Sequence, residues 1–379
     1  MQGLLLPARL AGRSADFLQM LWLSRFKLSD TRQYNFDFVE ENPLLLQWML
    51  KFHRFYHMSI NYYLCAESKS RQMSSQTTSH VLMIRPSAFG YNVETAANNV
   101  FQHIPQAGEE VIQSNAVREF DAFVSLLRAE GVDVEVIQDT ATPVKPDAIF
   151  PNNWVSFHDD ATVVTYPMFS KMRRQERRDD VIHQLALRFR VDLSIQFESF
   201  EEGDKFLEGT GSMVLDRAHK VAYACISGRT DLVVFREWCE RMGYRPVSFH
   251  AVSNGQPIYH TNVMMAIGTK IAVVCLDCIP DTKERLLLKA SLAKHHRVFE
   301  ITDAQVQSFA GNMLAVQNQK GEELMVMSAS ALGSLSEDQK KTIEQYCRIV
   351  AAPIPTIENI GGGSARCMIA EIFLPAKSE

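Results

Sequence analysis

Along residues 80–375 the polar and apolar positions repeat. Five blocks share one pattern, a polar lead residue followed by an apolar run of β type. They open at Asn153 (WVSF), Ser212 (MVLD), Asn262 (VMMAI), Asn312 (MLAV) and Cys367 (MIAEIF), so the leads lie 59, 50, 50 and 55 residues apart. The first four blocks each run into a turn signal (HDD, DRAHK, GTK, NQKGE) and a second apolar run (ATVVTYPM, VAYACIS, IAVVCLDC, ELMVMSA). That succession predicts four β-hairpins. Behind each hairpin stands a stretch with charged faces, which predicts a helix: MRRQERRDDVIHQLALRF, TDLVVFREWCERMG, DTKERLLLKASLAKH and SEDQKKTIEQYCRIV. The last carries an N-cap signature, Ser336 with Glu337 and Asp338 in the first turn.

The fifth block has no second strand, because the chain ends at Glu379. The apolar run VLMIRP, at the start of the repeating part, is left without a mate, and IAEIFLP is its natural partner. Pairing the two closes a ring of five units through the termini and covers edges that would otherwise invite association. An open α/β sheet with coincidental spacing is the alternative. In a ring, equivalent positions converge near one axis. Those positions carry Asn153, the Glu208–Ser212 turn, His260 with Asn262, Asn312, and Arg366 with Cys367.

Residues 1–72 do not share the repeat. MQGLLLPARLAGRSADFLQMLWLSRF lacks the basic, apolar and small-residue order of a signal peptide, and KFHRFYHMSINYYLCAESKSRQ is aromatic without clear period. A mis-assigned start with Met73 as the true one, a disordered or accessory extension, and a transit peptide are all open readings. A start at Met73 leaves 307 residues, and the expected domain spans 78–376.

Composition narrows the class. Apolar residues make up 46% and charged residues 22% of 379, with 39 Lys+Arg against 44 Asp+Glu, a net charge of -5. That is an ordinary globular balance with no basic nucleic-acid footprint. The apolar runs fall short of the roughly 20 residues a membrane span takes. Seven cysteines, an odd number in a chain this long, fit free thiols in a reducing compartment, so a cytoplasmic protein is expected. No phosphate loop, dinucleotide fingerprint or metal cluster is legible, and no cofactor or metal is expected. The Gly-rich ENIGGGSAR precedes a strand rather than a helix, which makes it a poor phosphate cradle.

Three converging residues suit covalent catalysis. Cys367 follows Gly361–Gly363, where the backbone can approach a ligand closely, and a thiolate there would be favoured by an imidazolium or by Arg366. His260 can shuttle protons near neutral pH. Glu208, beside Gly-Thr-Gly-Ser, can orient that imidazole and keep it charged; Glu201, Glu202 and Asp204 read as solvated loop acids. Cys225, Cys239 and Cys347 read as core thiols. Cys275 and Cys278 have a metal- or redox-type spacing but no second pair nearby, and they read as part of a strand. His158, in its HDD turn, reads as a surface histidine.

In order, KPDAIFPNNW, FLEGTGSMVLD, IYHTNV and IGGGSARCM resemble the motifs of the guanidino-group-modifying superfamily: arginine deiminases, dimethylargininases and arginine:glycine amidinotransferases. The nearest likeness is to the amidinotransferase-like branch that contains citrulline-utilisation hydrolases, and it covers roughly 78–376. The resemblance implies an α/β fold, a five-bladed α/β-propeller (pentein) of pseudo-fivefold ββαβ repeats. It implies Cys367 as nucleophile, His260 as general acid/base and Glu208 as the third catalytic member. The pattern also departs from arginine deiminases. Their two guanidinium-clamping aspartates are matched here by Asn153 and Asn262, which removes two negative charges. A neutral ureido group then suits the site better than a guanidinium, because an Asn amide supplies the donor its C=O needs. The expectation is citrulline hydrolysis to ornithine, carbon dioxide and ammonia, with Asp147 also touching the substrate. Arg85 and Arg366 are candidates for the α-amino and α-carboxylate end. Arginine deiminase, dimethylargininase or amidinotransferase chemistry is the second reading, and a non-catalytic propeller that binds a partner is the third. The partner expected is a small amino-acid substrate, with neither nucleic acid nor membrane; a homodimer is left open.

Overall fold

The computed structural model describes residues 74–96 and 98–377. The three readings of residues 1–72 lie outside the described residues.

Five three-stranded sheets share one plan. In the first four, two antiparallel strands form a hairpin and a third lies parallel to the second. They are β3 (Val155–Phe157), β4 (Thr162–Thr165) and β5 (Leu193–Gln196); β6 (Met213–Asp216), β7 (Val221–Cys225) and β8 (Arg245–Phe249); β11 (Met265–Ile267), β12 (Ile271–Val274) and β13 (Arg297–Glu300); and β14 (Leu314–Gln317), β15 (Glu323–Ser328) and β16 (Arg348–Ala352). A small hairpin, β9 (Val252–Ser253) with β10 (Gln256–Pro257), interrupts the series. The fifth sheet is split across the chain. β1 (His80–Arg85) runs parallel to β2 (Asp133–Gln138) and antiparallel to β17 (Ala370–Glu371), with Val81 opposite Glu371 and Leu82 opposite Ala370. The expected pairing of the two ends is therefore made. The described residues hold no closed sheet.

Burial explains the strand sequences. The middle strands β4, β7 and β12 are buried at every position, so they read as unbroken apolar runs rather than alternating ones. The third strands face water, and β5 and β8 begin with two exposed residues each. Pro246 sits on such an edge, where a missing N–H costs no ladder bond.

Helices bridge second and third strands: α1 (Glu109–Ala129), α2 (Asp179–Leu185), α3 (Leu232–Met242), α4 (Thr282–Leu292) and α5 (Glu337–Glu344). Their starts are written in side chains. Asp231 accepts from the amides of Val233 and Val234, and Asp281 from those of Lys283 and Glu284. Ser336 caps α5 as expected, and it also forms a full capping box with Gln339.

Two expectations need correcting. His158 is buried; its Nε2 lies 2.8 Å from Ser156 Oγ and its ring centroid 6.1 Å from that of Trp238. β12 ends at Val274, so Cys275 and Cys278 occupy the buried turn beyond it rather than a strand. No described helix is long and apolar enough to cross a membrane.

Candidate active site

The lead residues sit where each chain segment enters its first strand. A 3-10 turn, Pro151–Asn153, precedes β3; a helical turn, Gly209–Ser212, precedes β6; a 3-10 turn, Thr261–Val263, precedes β11. Hydrogen bonds link these entries in sequence order. Thr210 Oγ1 donates to the Asn152 carbonyl (3.3 Å), Thr261 Oγ1 to the Ser212 carbonyl (2.6 Å), and Asn312 Nδ2 to the Asn262 carbonyl (3.0 Å). The Arg366 amide then donates to Asn312 Oδ1 (3.1 Å). Equivalent positions of all five units are thereby tied together.

A pocket opens beside them, lined by Asp147, Asn153, Arg173, Arg229, Tyr259, His260 and Cys367 among others. Cys367 Sγ accepts from Asn312 Nδ2 (3.2 Å) and Asn262 Nδ2 (3.4 Å), two donors that complement a negatively charged sulfur. Behind Cys367, Gly362 takes φ +63°, a left-handed conformation that glycine adopts without strain. Its carbonyl accepts from Tyr259 Oη (2.8 Å) and Asn99 Nδ2 (3.2 Å). Glu358 accepts from Ser364 Oγ and Ser330 Oγ, each at 2.6 Å, and so anchors the glycine segment from the other side.

His260 Nε2 lies 2.8 Å from Glu208 Oε2, and both side chains are buried. Burial pushes the Glu208 carboxyl up, but Arg229, His260 and Arg173 outweigh it and leave its pKa at about 2. Burial drives His260 the other way, down to about 4, against the raising influence of Glu208. The carboxylate therefore orients the ring without keeping it charged, contrary to the sequence expectation. Desolvation of an imidazolium outweighs one ion pair here. With Nε2–H donated to Glu208, Nδ1 is left as a base.

Two arginines were not legible as site residues. Arg173 is clamped by Glu176 through Nε (2.8 Å) and Nη2 (2.9 Å), and its Nη1 donates to Asn153 Oδ1 (2.9 Å). Arg229 lies 4.7 Å from the Tyr259 ring centroid and donates to Asn98 Oδ1 and to the Thr95 carbonyl (3.0 Å). Its Nη1 lies 3.7 Å from Glu208 Oε2. Asp147 Oδ2 accepts from Asn92 Nδ2 (2.7 Å), and burial raises the Asp147 carboxyl against the pull of Arg173. Three buried polar atoms of this cluster have no partner: Asn153 Nδ2, Asn262 Oδ1 and Asp147 Oδ1.

Cys367, His260, Asn153 and Asp147 thus line one pocket, with Glu208 and Asn262 bonded to its members. Arg85 and Arg366 do not join them. Arg85 ends β1, the middle strand of its sheet, and forks onto Asp121 with two 2.8 Å bonds. Arg366 donates to the Ile369 carbonyl (2.9 Å) and to Glu371 (2.7 Å), and lines a separate cavity with Gln76 and Thr210. Neither lines this pocket, and the Arg366 guanidinium is paired with Glu371 rather than with the Cys367 sulfur.

The structure resembles those of known enzymes. Apo ArgZ, an arginine dihydrolase from the ornithine–ammonia cycle in cyanobacteria, matches with a TM-score of 0.62 at 16% identity over 78% of this chain, which spans 41% of that protein. The N-terminal domain of ArgZ, covalently bound to a reaction intermediate, matches at 0.61 and 16% identity over 78% of this chain and 98% of the domain. A dimethylarginine dimethylaminohydrolase variant in its adduct with S-methyl-L-thiocitrulline matches at 0.54 and 13% identity over 78% of this chain and all of that one. At these identities the likeness is one of fold. No curated protein matches the sequence. The model of one family, N,N dimethylarginine dimethylhydrolase, eukaryotic, covers residues 85–374, and the chain belongs to that family and with it to the pentein superfamily of guanidino-modifying hydrolases and amidinotransferases.

Proposed function

We propose that the five sheets are the blades of a five-bladed α/β-propeller and that its central pocket hydrolyses a ureido substrate, citrulline or a close analogue. The blade reading is supported by the shared strand plan and by the hydrogen bonds that join successive lead positions.

The substrate reading rests on one observation. Arg173 holds the oxygen of Asn153, so the atom that Asn153 leaves free is a donor, while Asn262 leaves free an acceptor. A ureido group carries both complements, a C=O and N–H groups. A guanidinium carries only donors and would leave Asn153 Nδ2 unmatched.

Cys367 is the nucleophile. As its sulfur attacks the ureido carbon, neutral His260 takes the thiol proton, and Glu208 stabilises the imidazolium that forms. His260 returns the proton to the departing nitrogen as the C–N bond breaks, leaving a thiocarbamate on sulfur. It then deprotonates the water that cleaves the C–S bond and returns that proton to sulfur, releasing a carbamate that loses carbon dioxide as its remaining C–N bond breaks. Citrulline and one water give ornithine, carbon dioxide and ammonia.

A second reading, removal of an amine from a methylated arginine, is favoured by the family match and by Asp147, whose Oδ1 could hold a cationic group. Incubating the purified protein with citrulline, arginine and methylated arginines, and identifying the products, separates the two. Faster turnover of arginine or its methylated forms than of citrulline would overturn the ureido assignment.

A further inference from the structure

At the far end of β6 from the Glu208–Ser212 turn, a second polar cluster lies under the β6–β7 turn. Asp216 ends β6, His219 follows it three residues on, and His296 enters from the segment before β13. Asp216 and His219 are three residues apart, but His296 lies 77 residues beyond His219, which is why no ligand pattern was legible.

The carboxylate of Asp216 faces one imidazole with each oxygen: His219 Nδ1 lies 2.8 Å from Oδ1, and His296 Nε2 lies 2.9 Å from Oδ2. Asp216 and His296 are almost wholly enclosed, with side-chain exposures of 0% and 1%, whereas His219 is 25% exposed. Among the described residues, Asp216 has no lysine or arginine within salt-bridge reach; its charged-group partners are these two histidines. A buried carboxylate whose neighbours are imidazoles is an anionic centre awaiting a cation.

We infer that Asp216, His219 and His296 form a binding site for one divalent transition-metal ion such as zinc. The donor set, two imidazoles and a carboxylate, is the borderline set that zinc and its first-row neighbours favour. One ligand atom from each residue lies within 4.8 Å of the other two, so a single ion can reach all three. The 2.8–2.9 Å separations between carboxylate and imidazole atoms are close to the edge that two ligands at about 2.1 Å subtend near a right angle, which leaves solvent to complete the shell.

Binding asks each histidine to move its proton to the other ring nitrogen. The bond to Asp216 places the His296 proton at Nε2, and Nδ1, which has no hydrogen-bond partner, can take up that proton without breaking another bond. Half-open His219 gives an entry path, and the exposed His295 ring stacks on it at 3.7 Å between centroids. A bound ion would tie the β6–β7 turn to the start of β13.

The test uses the full chain carrying Cys367→Ser, which removes the pocket thiol as a rival ligand, after dialysis against a chelator. Zn²⁺ is titrated by calorimetry and Co²⁺ by its visible absorption, and melting temperature is followed with each ion. The site predicts one equivalent that is lost, or weakened at least tenfold, in His219→Ala and in His296→Asn, and unchanged in His250→Ala. His219→Ala removes a half-exposed ring and leaves the buried pair in place, so it remains informative if His296→Asn does not fold. No saturable binding, or binding that His219→Ala leaves unchanged, would overturn the proposal.

Discussion

Asn153 offers its nitrogen to the pocket because Arg173 claims its oxygen, at 2.9 Å from Nη1. Arg173 in turn is fixed by the two-pronged grip of Glu176. The polarity of one amide is thereby decided two side chains away. Asn153→Asp keeps the bond to Arg173 but replaces the free donor with a second acceptor. For a ureido substrate this loses a hydrogen bond to C=O and sets a carboxylate against it, a cost of about 1–3 kcal/mol, or roughly 5- to 150-fold. The expected result is a fall of that size in kcat/KM for citrulline, with arginine losing less or gaining. Equal losses for both would show that Asn153 does not discriminate between them.

Among the described residues, Cys367 should be the one thiol that reacts in the native protein. It lines the pocket beneath two amide donors, whereas burial pushes Cys225, Cys239 and Cys347 each up to about 12. Cys275 and Cys278 are only 0% and 2% exposed. A haloacetamidine should label one thiol per chain in the described residues, on the Cys367 peptide, as read by mass spectrometry. Cys367→Ala should abolish both labelling and turnover with an unchanged melting curve. Absent or scattered labelling would favour a non-catalytic binding module.

The repeat was legible because each unit buries both strands of its hairpin, which forces one apolar run after each lead residue and another after each turn. The β1–β17 pairing followed from one strand left over at each end. The arginines were not legible. Arg173 stands in MRRQERR, where a charged helical face is indistinguishable from a buried clamp, and Arg229 stands in a turn, SGRT. Arg366 misled for the opposite reason. It neighbours Cys367 in sequence, yet its guanidinium runs to Glu371 on β17. Chain proximity fixes where a backbone goes, but not which way a long side chain runs.

Gly211 leaves room for the site's polar corner. A Cβ there would lie 2.3 Å from Asn153 Nδ2 and 2.8 Å from His260 Nδ1. Neither neighbour can retreat freely, since Arg173 and Glu208 hold their other ends. Gly211→Ala should displace the imidazole or the amide by a good fraction of an ångström. Activity should drop about 100-fold, and stability by about 1–3 kcal/mol. The measurements are steady-state kinetics and urea unfolding. Wild-type kcat in the variant would mean that His260 Nδ1 does not take part in proton transfer.

Acid should weaken the fold through His260. Its folded pKa, about 4, lies below the ordinary 6.5, so between these values the unfolded chain binds the extra proton and stability falls as pH falls. Glu208, at about 2 against 4.5, acts in the same direction at lower pH. Glu176 opposes them, because burial raises it to about 7, and a carboxyl that protonates first in the folded state favours folding as pH drops from 7 toward 4.5. Comparing wild type with His260→Gln cancels that contribution. Between pH 7 and pH 4 the wild type should lose on the order of 3 kcal/mol relative to the variant, as measured by denaturant unfolding. The catalytic base should fail over the same limb, with kcat/KM falling as pH drops through about 4, the value at which His260 takes its proton. Parallel stability curves over this range would mean that His260 takes its proton in the folded chain where it does in the unfolded one, near 6.5, and that burial does not hold the ring neutral.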